Sequence, residues 1–132
     1  MKAKGTPNLS KLQDFVFALT RVVFAFLFAC HGAMKLFGVF GGQPVLHNPL
    51  LLTAAILEFA GGILIALGFY ARPVAFVLSG EMAVAYFMGH FPGGFWPIVN
   101  HGELAVVYCF FFLYLAVRGA GRMSIDGVRG KA

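Results

Sequence analysis

The sequence predicts an all-α membrane protein, a four-helix antiparallel transmembrane bundle with both termini in the cytoplasm. Three observations predict it. The 132 residues are 60% hydrophobic and only 11% charged, with a mean hydropathy of +0.84, a composition suited to lipid rather than water. Sixteen phenylalanines stand against one tryptophan, and a phenylalanine ring carries no polar atom that would need a partner in hydrocarbon. Finally, nine of the ten Lys and Arg residues fall on one side of the predicted membrane.

Residues 1–14 read as a cytoplasmic N-terminal segment. They resemble the charged front of a signal peptide, but the apolar stretch that follows is too long for one and has no clear cleavage site, so it is expected to be retained. The four-helix domain covers residues 15–118. Its first span, 15–36, follows Ser10-Lys11-Leu12-Gln13, a capping-box pattern expected to start the helix. Those 22 positions reach about 33 Å, enough for a bilayer core of roughly 30 Å. Gly38, Gly41, Gly42, Pro44 and Pro49 then mark a loop. The second span, 50–68, ends at Phe69-Tyr70-Ala71-Arg72, and Pro73 suits the first turn of the third, 74–90. Phe91-Pro92-Gly93-Gly94-Phe95-Trp96-Pro97 interrupts the helix with aromatics that fit the interfacial belt. The fourth span, 101–118, precedes a basic tail, 119–132, expected in the cytoplasm.

The cations give direction. Lys2, Lys4, Lys11, Arg21, Arg72, Arg118, Arg122, Arg129 and Lys131 share one side, and only Lys35 lies near the other. By the positive-inside rule the multi-pass chain is expected to have both termini and the Arg72 turn in the cytoplasm. The net charge of +5 therefore reports topology. It forms no stripe for nucleic acid. Cys30 and Cys109 lie in apolar segments without a C-x-x-C, and read as small buried hydrophobes.

Charges inside spans are costly and need partners or a water-filled cavity. Spans two, three and four each hold a carboxylate, Glu58, Glu81 and Glu103, whereas span one holds Arg21, His31 and Lys35. Counting residues inward places His31, Lys35, Glu58, His90, Trp96, Asn100 and Glu103 toward the outer face as a candidate ligand or proton site. Arg21 and Glu81 are expected deeper, as an inner ion pair. Each residue also has a structural role open to it: carboxylates as interhelical locks, Arg21 and Lys35 reaching toward headgroups, His90, His101 and Trp96 as interfacial anchors. No H-x-x-x-H or H-E-x-x-H spacing supports a metal. No haem, iron-sulfur, flavin or phosphate-loop motif supports an intrinsic cofactor.

The order His31-Gly32-x-x-Lys35-Leu36-Phe37-Gly38, Glu58-Phe59-x-Gly61-Gly62, Gly68-Phe69-x-x-Arg72, Glu81-Met82-x-x-Ala85-Tyr86-Phe87-x-x-His90 and Gly94-Phe95-Trp96-Pro97-x-x-Asn100-x-Gly102-Glu103 resembles the DoxX family over residues 15–126. The resemblance implies a four-helix inner-membrane bundle and an association with oxidoreductases, since the family is named from a subunit associated with thiosulfate:quinone oxidoreductase. It carries over no catalytic residue set.

Three functions stay open. A redox subunit would hold a quinone at His31, Lys35 and Glu103 and receive electrons from a partner oxidoreductase. A small-solute or proton-linked carrier would use the carboxylates as relays and need a homo-oligomer. A non-catalytic assembly subunit would use the polar groups only to specify packing. The redox subunit is the preferred expectation, by fold-level analogy.

Overall fold

A computed structural model describes residues 7–132; Lys2 and Lys4 lie outside the described residues. Every regular element among them is helical. Helix α1, Pro7–Phe37, is already running at Pro7, where a proline's missing N–H costs nothing. Ser10 therefore sits inside the helix rather than capping it, a correction to the capping-box reading. Buried positions 18, 21, 25, 28, 29 and 32 recur at helical spacing, one stripe facing inward and phenylalanine-rich faces outward.

Helix α2, Pro49–Leu67, starts at Asn48, whose side chain accepts from the Leu50 and Leu51 amides, and ends at Gly68 in the left-handed region, φ 66°. Helix α3 runs Ala71–Ala85, one turn earlier than the proline suggests, and passes into a π-helical turn, Tyr86–His90. After a 3-10 turn at Phe91–Gly93 and a short helix α4, Pro97–Asn100, His101 takes φ 62°. That left-handed residue breaks the chain before α5, Glu103–Arg118. The fourth apolar helix thus begins two residues later than expected.

Three helical stretches, Asn8–Phe37, Pro49–Leu67 and Ala71–Gly93, are long and apolar enough to cross a membrane. The 16 residues of α5 reach about 24 Å, short of a roughly 30 Å hydrocarbon core.

The helices pair as two antiparallel hairpins. Between α1 and α2 small residues bring the backbones together: a Cβ added at Gly62 would sit 2.8 Å from the Ala29 nitrogen, and one at Gly32 2.8 Å from the Ala55 carbonyl oxygen. Between α3 and α5, the Ser79 hydroxyl donates to the Cys109 carbonyl at 2.8 Å. The hairpins meet where Gly61 of α2 faces Leu78 of α3. They meet again where Phe24 and Phe28 of α1 pack on Tyr108, Phe111 and Phe112 of α5, ring centroids 4.8–6.2 Å apart. Most other large apolar side chains lie exposed, as lipid-facing surfaces require.

The basic tail is structured. It folds back over the α2–α3 turn through a short helix α6, Ile125–Val128. Asp126 is 5% exposed, and its carboxylate accepts from the Tyr70 and Ala71 amides at 3.1 and 2.8 Å. It thereby satisfies free N–H groups at the start of α3, whose N-cap Tyr70 makes no side-chain cap of its own. The Asp126 amide in turn donates to the Gly68 carbonyl at 2.9 Å. Arg72 donates to the last carbonyls of α5, those of Ala116, Val117 and Arg118, favourable at the negative end of a helix dipole.

Candidate functional site

Away from the tail, the end of the molecule that carries the two long loops gathers most of the polar side chains. Lys35, in the last turn of α1, donates from Nζ to Glu58 Oε1 of α2 at 2.6 Å. Glu58 is 4% exposed while the Lys35 side chain is 35% exposed, so the pair is half-buried, with its carboxylate inside, where a charge without a partner would be expensive. The Lys35 carbonyl accepts from the Val45 amide at 2.9 Å, which fastens the first loop over this helix end.

His90 arrives from the other hairpin. It ends the π-helical turn of α3, and such turns shift the side chains beyond them out of ordinary helical register. Its ring stacks on Tyr86, and Nδ1 lies 3.2 Å from the Asn100 carbonyl oxygen. Asn100 is the staple of the second loop: its side-chain amide donates to Gly94 O at 2.7 Å and Tyr86 Oη at 3.2 Å, while its Oδ1 accepts from the Gly102 amide at 2.8 Å. The Tyr86 hydroxyl donates to the Phe95 carbonyl. With every polar atom of its side chain engaged, Asn100 holds the site in place from outside.

These groups surround a cavity of about 270 Å³ lined by His31, Lys35, Glu58, His90 and His101 over a floor that includes Phe28, Met82 and Tyr108. A second cavity of about 560 Å³ shares Lys35, Glu58, Ala85 and His90 with it and opens between α2 and α3. Glu81 lines the second cavity. Both Glu81 carboxyl oxygens and Glu58 Oε2 are buried without a hydrogen-bond partner among the described residues. The outer walls are Leu50, Leu51, Val77, Val84 and Met88, all at the apolar surface.

The expected outer cluster thus divides. His31, Lys35, Glu58 and His90 come together, Asn100 supports them, and Trp96 and Glu103 do not join. Trp96 is 66% exposed and lines a separate apolar recess; Glu103, at the exposed start of α5, borders only a shallow surface pocket beside His101.

The inner pair of Arg21 and Glu81 is also corrected. Arg21 is 2% exposed, but its guanidinium donates to Ile65 O at 3.1 Å, Ala66 O at 3.4 Å, Met123 O at 3.0 Å and the Ala120 carbonyl. Folding the tail onto α2 places those carbonyls around it. Glu81 belongs instead with Lys35 and Glu58. Counting from the α2–α3 turn would have found this: Glu58 precedes Leu67 by nine residues and Glu81 follows Ala71 by ten, so both lie about 14–15 Å from the turn. Asp126 was missed as well, although Ser124-Ile125-Asp126-Gly127 carries a helix-start signal, and the Ser124 hydroxyl does accept from the Gly127 amide at 2.9 Å.

Among the described residues no three His, Cys, Asp or Glu side chains come together as metal ligands would. The arrangement offers cationic donors, carboxyl acceptors and a ring-sized apolar floor.

The DoxX family model matches residues 16–91, a range that contains His31, Lys35, Glu58, Glu81 and His90 and stops before Trp96, Asn100 and Glu103. The chain is 41% identical to an uncharacterized protein of Haemophilus influenzae, over 90% of this chain and 94% of that one. It is 30% identical to the inner membrane protein YqjF of Escherichia coli, over 93% of this chain and 98% of the relative. No solved structure matches it.

Proposed function

The chain belongs to the DoxX family, and from that premise we propose that it is the quinone-binding subunit of a redox system in the bacterial inner membrane. The observation that carries this reading is the crevice between α2 and α3. Its walls are apolar and face the lipid side, while its inner end carries the Lys35–Glu58 pair, Glu81 and His90. A ligand with a polar ring and a hydrocarbon tail, entering sideways from the bilayer, fits such a gradient. A water-soluble substrate of a proton-linked carrier would need a polar mouth.

Within the site, Lys35 keeps two N–H donors beyond the one it gives Glu58, and these would meet a quinone oxygen. Phe28 and Tyr108 lie in the smaller cavity that shares Lys35, Glu58 and His90 with this crevice, and would offer apolar ring edges beyond the polar end. Electrons would come from a partner oxidoreductase. The same reading has all four apolar helices, α1, α2, α3 and α5, cross the membrane as an antiparallel bundle with the tail and the Arg72 turn in the cytoplasm, in keeping with the cation distribution and with the inner-membrane relative.

The test is retention. Protein purified in mild detergent, extracted with organic solvent and chromatographed should release about one quinone per chain, and Lys35→Met should release little. Protein that retains none, and whose melting temperature ignores an added short-tailed quinone, ends the proposal. For orientation, green fluorescent protein fused after Ala132 should glow; a dark fusion that is correctly inserted reverses the topology. Co-purification would identify the oxidoreductase partner.

A further inference from the structure

Resting on the quinone reading above, we infer that the crevice selects the reduced form of its ligand, a hydroquinone whose hydroxyls donate hydrogen bonds, over the oxidised quinone. Three buried oxygens of two residues that line one cavity, Glu58 Oε2, Glu81 Oε1 and Glu81 Oε2, have no donor among the described residues. Buried acceptors left unpaired are costly. Even a proton shared between the two carboxyl groups would leave one acceptor without a donor, because each O–H satisfies a single acceptor.

No donor among the described residues reaches these oxygens. Of the cavity residues, Val77, Val84, Ala85 and Met88 carry no side-chain N–H or O–H, and the Thr53 hydroxyl donates to the Pro49 carbonyl. Lys35 gives one N–H to Glu58 Oε1 at 2.6 Å and none to Glu81, and His90 faces the Asn100 carbonyl. Whatever enters must bring donors of its own.

The two oxidation states differ in this respect. A quinone carbonyl only accepts, so it can take a hydrogen bond from Lys35 but brings no donor for the buried carboxyl oxygens. A phenolic hydroxyl accepts from Lys35 and donates to Glu81 at once. The apolar walls accommodate the same tail in either form, so selectivity falls on the headgroup oxygen alone.

Affinity separates the two. A decyl-tailed benzoquinone and its reduced quinol would each be titrated anaerobically into the detergent-solubilised chain by calorimetry. The quinol should bind at least about tenfold more tightly, as one additional hydrogen bond to a buried acceptor warrants. Glu81→Gln, whose amide both donates and accepts, should bring the two affinities to within about threefold, mostly by weakening the quinol. Equal affinities in the unaltered protein, or tighter quinone, would overturn the selectivity while leaving the quinone site standing. Binding of neither form would overturn both. The first comparison needs no variant, so a Glu81→Gln chain that fails to fold cannot rescue the idea.

Discussion

The two ends of the helix bundle solve the problem of buried charge in opposite ways. At the tail end, Arg21 donates to four carbonyls of α2 and the tail and Asp126 accepts from two amides at the start of α3 beside Arg129, so each charge is met chiefly by backbone groups. At the loop end, one lysine faces two carboxyl groups, and three carboxyl oxygens stay unpaired beside a cavity. Satisfied polar groups rigidify a fold, whereas partly satisfied ones mark places kept for something else. The difference teaches that the tail end holds the molecule together and the loop end is held ready.

Substitutions can break that contrast. The largest loss of stability is expected at Arg21→Ala, which strips the donor from four carbonyls and should cost about 3 kcal/mol. Denaturant titration in detergent measures it, and a loss under 1 kcal/mol would mean the tail is not fastened there. Asp126→Ala comes next, at about 1–2 kcal/mol for the lost cap of α3, with faster proteolysis of the tail as a second readout.

The loop end should behave differently. Lys35→Met combined with Glu58→Gln removes both charges of a buried pair, so stability should change by less than about 1 kcal/mol while quinone retention disappears. If that double variant unfolds and Arg21→Ala does not, the assignment of roles is inverted. The smallest effect is expected at Trp96→Ala: an exposed ring outside the cluster should leave stability within about 0.5 kcal/mol and retention unchanged.

Much of this was legible beforehand, and what failed did so for identifiable reasons. The apolar helices and the inward stripe of each follow from helical spacing, because residues three and four apart must lie on one side. His31 and His90 were placed by depth alone, and depth sufficed to bring both to one cavity. Glu81 was assigned to Arg21 because opposite charges at apparently similar depth invite pairing. Arg21 instead found carbonyls of α2 and of a tail that composition had marked only as basic. Trp96 and Glu103 were placed near the site by the same count of residues inward, but the left-handed backbone at His101 turns the chain between them.

By itself the sequence determined that this chain is suited to lipid, which stretches form its apolar helices and which of their faces turn inward, for these depend on local composition and on the fixed 3.6-residue turn. Only the tertiary structure decided which charge meets which. Partner choice inside a low-dielectric interior depends on contacts between residues 23 to 102 positions apart, and on backbone carbonyls that carry no letter in the sequence. It was the folding back of fourteen C-terminal residues, 119–132, that gave Arg21 its partners and left Glu81 facing the cavity.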